Sequence, residues 1–544
     1  MAQQIPWPLG AVRRCDAAPG ALSSLLEDLR GRPGLEWVLI WDVALGTPPL
    51  DVVRCLSQRD WQVSHAGLDF GMGGLPEVLD FVSPTWMLNL DASRSTSSTS
   101  WRVSWRACLI PLAVLERCGG PRPNFETLEG SALEWGHRLI KSGVVLRYEP
   151  RLVSVPRLQA GARMPLADEI RFLRLRQSGF WARYALWRMI LSGFRDPAEL
   201  MKAWVRARQT APPLASTSKF DHANGDSAPA GARVTVLIPT VDRYDYLRTV
   251  LAQLQQQSIA PCEVIVVDQT DSTRRDLTVA SVPTTFPLRV IYQERPGQCS
   301  ARNLGLNSAQ GEYILFLDDD DEIDPKLIEK HLACLAKFGS DVSAGVAEEA
   351  GAGPLPHDFT YLRVSDVFPT NNCMIRASSL TKSGLFDLAY DRGARADGDL
   401  GMRLYLGGAV MILNPEISVF HHHAPMGGLR THKARKVTYA RSRTSLVDRH
   451  IPSATEAYLW SRYFSQRQVR EEIWLRALGT LVVRGGRVRK LAKAAIGIFM
   501  MPHTLWRIRR AMAAAAEMRM VHPTIPTFAG AASVEPPPGT KRCT

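Results

Sequence analysis

Along the second half of the chain, apolar residues fall into short continuous runs separated by stretches of helical periodicity. Val234–Pro239 (VTVLIP), Glu263–Val267 (EVIVV), Leu288–Tyr292 (LRVIY) and Tyr313–Leu317 (YILFL) predict four strands. Tyr244–Gln257 and Ser300–Ser308 predict helices between them, and Pro325–Phe338 a further helix, opened by Asp324 with proline in its first turn. Apolar runs alternating with helices imply βαβ units and a parallel sheet covered on both faces. A small, Pro-rich, aperiodic stretch at 207–232 marks a domain linker before the first of these strands. Beyond a strand at Ile417–Phe420 the pattern turns helical over Val469–Val483, Gly486–Ala495 and Leu505–Met512, with Arg and Lys set among Trp, Leu and Ile.

Composition narrows the class. The chain has 544 residues, 45% hydrophobic and 22% charged, which excludes disordered, collagen-like and disulfide-scaffold proteins. Its formal charge of +13 is concentrated: residues 424–520 hold 20 Lys and Arg against 5 Asp and Glu, leaving residues 1–423 at −3. The basicity therefore belongs to a C-terminal tail suited to an anionic surface, and no nucleic-acid partner is expected for the body. Nine cysteines without a Cys-x-x-Cys pair predict reduced thiols and a cytoplasmic protein. The first residues lack a signal-peptide pattern, and the longest apolar stretch of the tail, 494–506, is 13 uncharged residues, short of the ~20 that span a bilayer. A peripheral position on the inner face of the cell membrane follows as the expectation.

Ligands of parallel sheets bind beyond the carboxyl ends of the strands. Here those ends carry Pro239-Thr240-Val241-Asp242-Arg243, Asp268-Gln269-Thr270-Asp271 and Asp318-Asp319-Asp320-Asp321. Four consecutive carboxylates repel one another unless a cation neutralises them, and an oxygen-preferring Mg²⁺ or Mn²⁺ is the natural partner.

Ile-Pro-Thr-x-x-Arg at the first strand, Val-Val-Asp at the second, Pro-Gly-x-x-x-Ala-Arg-Asn-x-Gly at 296–305 and Phe-Leu-Asp-Asp-Asp-Asp at 316–321 together resemble the family 2 glycosyltransferases of GT-A fold, over about 234–425. The resemblance implies a nucleotide-sugar donor (a UDP-, dTDP- or GDP-sugar) held by Pro239, Thr240, Arg243, Asp268, Arg302, Asp318 and Asp319. It implies Asp320 and His421 as ligands of Mn²⁺ or Mg²⁺. Asp397 falls on the position of the catalytic base, within Ala396-Asp397-Gly398-Asp399-Leu400-Gly401-Met402-Arg403, where the family's usual preceding Glu is Ala396. Asp399 is expected either to share that role or to cap the following helix. His421, His422 and His423 should alternate faces at the end of their strand.

A gapless shift of 265 lays Arg106–Ser154 over Asn371–Val419. Cys108, Ile110, Leu115, Gly119, Gly136, Arg138, Leu139, Gly143, Val145 and Pro150 then meet identical residues. The expectation is a shortened, degenerate GT-A-like unit without the chemistry. Under this shift Asp397 maps to Ala132 and His421 to Pro156, and outside it the best counterpart of the aspartate run is Asn89-Leu90-Asp91-Ala92-Ser93, with one carboxylate. Gly71-Met72-Gly73-Gly74 reads as a tight turn.

The whole reads as tandem α/β GT-A domains with a helical C-terminal extension: a degenerate copy at 1–165, basic helices at 166–206, the linker at 207–232, the catalytic domain at 233–425, a basic helical tail at 426–520 and a disordered end at 521–544. The expected function is inverting, metal-dependent transfer of a sugar to a lipid-linked or cell-surface glycan. The alternative is a non-catalytic nucleotide-sugar- or nucleic-acid-binding protein that uses the basic tail.

Overall fold

The computed structural model describes residues 15–67, 76–82, 90–153, 164–208, 228–349, 353–422, 424 and 439–528. Most of the linker, Gly71–Gly74, Asn89, Pro156, His423, the tail up to 438 and the chain from 529 lie outside the described residues. The chain divides into two compact units, with the main boundary between Asn224 and Gly225.

In the second unit the strands lie in the order Leu288–Tyr292, Glu263–Asp268, Val234–Thr240, Tyr313–Leu317, Asn372–Arg376, Val342–Glu349, Met411–His421, Asp321–Ile323. The first four are parallel to one another, with Thr240 beside Asp268 at the shared carboxyl edge. Their apolar residues, Val236 to Ile238, Val264 to Val267 and Ile314 to Leu317, are almost wholly buried, as a sheet covered on both faces requires. Asn372–Arg376 then enters antiparallel to both its neighbours, while Val342–Glu349 and Met411–His421 run parallel. The helix Gln298–Ser308 presses Gly305 onto the first strand, where an added Cβ would lie 2.2 Å from Leu237 Cδ1.

The first unit holds a five-stranded sheet in the order Trp37–Trp41, Ala107–Pro111, Gln62–Ala66, Val145–Tyr148, Ser98–Thr99. Only Gln62–Ala66 and Val145–Tyr148 are parallel. Its first four strands repeat, in order and direction, Tyr313–Leu317, Asn372–Arg376, Val342–Glu349 and Met411–His421 of the second unit. The helices Leu128–Lys141 and Ala396–Leu406, which follow Ala107–Pro111 and Asn372–Arg376, repeat finer detail. Gly136 lets its helix approach the Arg102 and Val103 backbone, and Gly401, 265 residues on, approaches Asp366 and Phe368 in the same way. Helices Leu166–Arg176, Gly179–Leu191 and Pro197–Ala207 complete this unit.

The C-terminal segment of the second unit is helical over Ala454–Tyr463, Gln466–Gly479, Arg487–Phe499 and Met501–Val521. Two of these helices open with capping boxes, Ser453 with Glu456 and Ser465 with Gln468. Among the described residues no helix is long and apolar enough to cross a membrane. Among the described residues seven cysteines are free thiols, five of them buried. Cys55 is disulfide-bonded, a departure from the reduced thiols expected of the sequence.

Candidate active site

The chain leaves the first strand through Asp242, whose φ of 56° is left-handed, a conformation Asp tolerates better than most residues. The Asp242 backbone N–H donates to Thr270 Oγ1 at 2.9 Å, tying this turn to the one after the second strand. Arg243, next in the chain, donates through Nη1 to Oδ1 of Asp319 at 2.8 Å and to Oδ1 of Asp320 at 3.0 Å. Thr240 Oγ1 donates to the other Asp319 oxygen at 2.7 Å. The aspartate run thus meets cations of the protein itself.

Arg302, nearly buried, donates through Nη2 to Asp318 Oδ1 at 3.2 Å and lies against the Phe386 ring. His421 pairs directly across an antiparallel ladder with Asp321, and its Nδ1 is 2.8 Å from Asp321 Oδ1. Asp321 in turn accepts from the Asp318 backbone N–H at 2.9 Å. Asp320 accepts from the Ala424 backbone N–H at 2.7 Å. His422 faces away, to Glu322 at 2.7 Å.

Burial dominates the titration of this run. It pushes the Asp319 and Asp321 carboxyls up to about 7 against the pull of Arg243 and His421, and raises Asp318 as well. Burial works to lower His421, but its hydrogen bond to Asp321 and the charges of Asp321, Asp320 and Asp318 carry it up to about 9. A metal ion at this run would take the place of the proton that His421 otherwise carries, since only the neutral imidazole ligates. Ligating atoms of Asp318, Asp320 and His421 lie within 4.8 Å of one another. Two carboxylate oxygens and an imidazole nitrogen form a donor set acceptable to Mn²⁺, and less so to Mg²⁺.

Asp268 ends the neighbouring strand, beside Thr240. It is buried, accepts from Tyr244 Oη at 2.9 Å and from the Thr270 backbone N–H at 2.9 Å. Pro239, half-buried, pairs in register with Val267 one step before that edge.

Asp397 stands exposed in the first turn of the helix Ala396–Leu406 and accepts no hydrogen bond from the described residues. The segment before it is bolted to the Arg302 helix. Asp391 Oδ1 accepts from the Cys299 and Ser300 backbone N–H groups at 2.8 Å each, capping that helix, and Asn303 exchanges hydrogen bonds of 2.8 and 2.9 Å with the Phe386 backbone. Asp399 is fully buried and holds Arg403 at 2.9 Å and Tyr463 Oη at 2.8 Å. Its carboxylate is an internal anchor, neither an exposed base nor a cap.

The structure therefore gathers Thr240, Arg243, Arg302, Asp318, Asp319, Asp320 and His421 into one cluster, with Asp268 beside Thr240 in register and Asp397 linked through the Arg302 helix. Sequence reasoning missed three contributors. Asp321 was visible as the fourth acid of the run and Asn303 as a motif position, whereas nothing local marked Asp391.

These groups set two arginines and a carboxylate–imidazole trio at the carboxyl ends of the parallel strands of an α/β unit. Residues 235–367, a quarter of the chain, match the model of glycosyl transferase family 2, so the second unit carries a family 2 glycosyltransferase domain. Over 115 residues the chain is 30% identical to glycosyltransferase GlyA of Streptococcus pneumoniae, covering 21% of this chain and 16% of that protein. Over 100 residues it is 34% identical to an uncharacterized glycosyltransferase of Haemophilus influenzae, covering 18% of this chain and 33% of that one. The chain thus spans a third or less of the length of these two relatives. S. aureus TarS aligns over 52% of this chain and 55% of its own, with a TM-score of 0.32 and 18% identity. Asp397 and His421 lie beyond the stretch matched by the family model.

Proposed function

We propose that the protein is an inverting, metal-dependent glycosyltransferase that moves a sugar from a UDP-, dTDP- or GDP-sugar to a lipid-linked or cell-surface glycan, working at the inner face of the cell membrane. The observation that carries this reading is the convergence of Asp318, Asp320 and His421 at the carboxyl edge of the parallel strands, beside Arg302. A divalent ion held by those three residues would neutralise charge on the departing nucleoside diphosphate. Arg302, buried and anchored on Asp318, adds fixed positive charge to the same place without reorganising during the reaction. Asp268 is read as the acceptor of hydrogen bonds from the donor's base or ribose. Asp319 acts by orienting Arg243, since each of its oxygens already accepts a hydrogen bond.

Attack on the anomeric carbon opposite the diphosphate needs a base to take the proton of the acceptor hydroxyl. Asp397 is read as that base, accessible in the first turn of its helix. The first unit is read as a degenerate copy of the acceptor-side half of this fold, with buried Ala132 where Asp397 stands and Asp91 engaged by Arg94 and Arg102.

Titration with UDP, dTDP and GDP in the presence and absence of Mn²⁺, followed by turnover on a panel of nucleotide sugars, tests the reading. Metal-dependent nucleotide binding is expected, with transfer that Asp397→Asn reduces by orders of magnitude. Full transfer by Asp397→Asn or Asp320→Ala would refute the site assignment.

A further inference from the structure

The helix Arg487–Phe499 is amphipathic in the wrong sense for a surface in water. Its single inward lysine, Lys493, is only 1% exposed and donates through Nζ to the Ser445 and Asp448 carbonyls at 2.9 and 2.8 Å. One turn on, Gly497 lies so close to the preceding segment that an added Cβ would sit 2.6 Å from Leu481 Cδ2. At 3.6 residues per turn, Lys493 and Gly497 define one side of the helix, and Val488, Leu491 and Ile498 fall on the opposite side. Those outward residues are exposed by 82%, 71% and 64%, and Phe499 beside them by 87%.

An unpaired lysine would ordinarily face water and these apolar side chains the core. The inversion is locked by the lysine's carbonyl partners, so the apolar side faces outward by construction. Trp506, on the first turns of the next helix, is itself 54% exposed, with His503 stacked on it and Arg510 against its ring.

The charge around this face selects what covers it. From Thr480 to Ala516 there are eight Lys and Arg and no Asp or Glu. Arg484, Arg487, Lys490, Arg507, Arg509 and Arg510 are all exposed. An apolar stripe with a tryptophan and a dense basic border complements the acyl boundary and headgroups of an anionic bilayer.

We infer that the outer face of 487–510, centred on Leu491, Ile498, Phe499 and Trp506, seats the protein on an anionic phospholipid bilayer. This rests on the reading of a glycosyltransferase acting on a membrane-linked acceptor, and it names the surface and the lipid chemistry that bring it there.

The test is co-sedimentation of the full chain with vesicles of phosphatidylcholine alone or with phosphatidylglycerol added. Binding is expected only where phosphatidylglycerol is present, and it should weaken as salt rises. Leu491→Ser/Ile498→Ser/Phe499→Ser should lose binding more than tenfold, and Arg487→Ser and Arg507→Ser about fivefold each, with unchanged circular dichroism. Metal-dependent nucleotide binding by the soluble protein should be unaffected in these variants. Loss of nucleotide binding in the wild type would strike the glycosyltransferase reading and leave the bilayer result standing by itself. Three outcomes would overturn the inference: no wild-type binding to anionic vesicles, undiminished binding by the triple variant, or lipid-free oligomers that the triple variant dissolves.

Discussion

Arg403 reaches back one helical turn to Asp399, Nε to Oδ2 at 2.9 Å, while its Nη1 donates to the Ser383 carbonyl. In the first unit, 265 residues earlier, Arg138 reaches back to Glu134 at 3.2 Å and donates to the Cys118 carbonyl. The second acid and the Arg of the motif around Asp397 are therefore one structural device used twice. It ties the helix to the end of the helix before it, with or without chemistry nearby.

Asp397 and Asp399 should accordingly separate cleanly by mutation. Breaking a buried pair from one side costs ~3–5 kcal/mol, so Asp399→Ala should lower the urea midpoint sharply, and Glu134→Ala should do the same in the first unit. Asp397→Asn should leave stability within ~0.5 kcal/mol of wild type and reduce transfer by ~10²–10⁴-fold, the weight of a general base. Denaturation curves beside single-turnover rates check both.

His421 stands where its strand partner Asp321 and the acids Asp318 and Asp320 all face it. His421→Gln should weaken Mn²⁺-dependent UDP binding by at least ~10–100-fold, since losing a ligand costs no less than losing the contacts that support one. UDP binding without metal should change far less. Calorimetric titration with and without Mn²⁺ distinguishes the two, and equal losses in both would remove His421 from the metal site.

Gly305 and Leu237 should behave as a coupled pair. Gly305→Ala places a methyl 2.2 Å from Leu237 Cδ1 and should destabilise by ~1–3 kcal/mol through overpacking. Leu237→Ala leaves a cavity that this methyl enters, so the double variant should be more stable than the sum of the single effects by at least ~0.5 kcal/mol. Simple additivity would mean that the helix shifts instead.

His331 is fully buried, its Nε2 2.9 Å from Asn372 Oδ1 and its Nδ1 2.8 Å from Ser343 Oγ, and burial holds it down to about 4. In the unfolded chain the imidazole titrates near its ordinary value of 6.5. The unfolded state therefore binds the proton first, and stability present above that value is lost as pH falls from 6.5 toward 4, by up to ~3 kcal/mol. The wild type should weaken more than His331→Gln over this window. Parallel urea titrations at pH 7.5, 5.5 and 4 give the difference, which isolates this histidine from the acid cluster.

The local pattern was enough for the parallel half of the sheet. Val234–Thr240, Glu263–Asp268 and Tyr313–Leu317 are apolar on both faces because both faces are covered, and the acids that end them are placed by that fact alone. The shift of 265 was equally legible, because Gly136 with Gly401 and Arg138 with Arg403 perform the same packing in both units and tolerate little else. Hydrophobic periodicity could not say which acids of the run face a metal and which face an arginine. Asp318, Asp320 and His421 converge only when Met411–His421 pairs antiparallel with Asp321–Ile323, a pairing between segments about a hundred residues apart. Asp391 and Asp399 likewise became an anchoring cap and a buried hub only through partners distant in the chain. The basic tail follows the same division. Its charge and apolar content are sequence properties, but the outward turn of Leu491 and Phe499 depends on carbonyls from Ser445 and Asp448 that hold Lys493 inside.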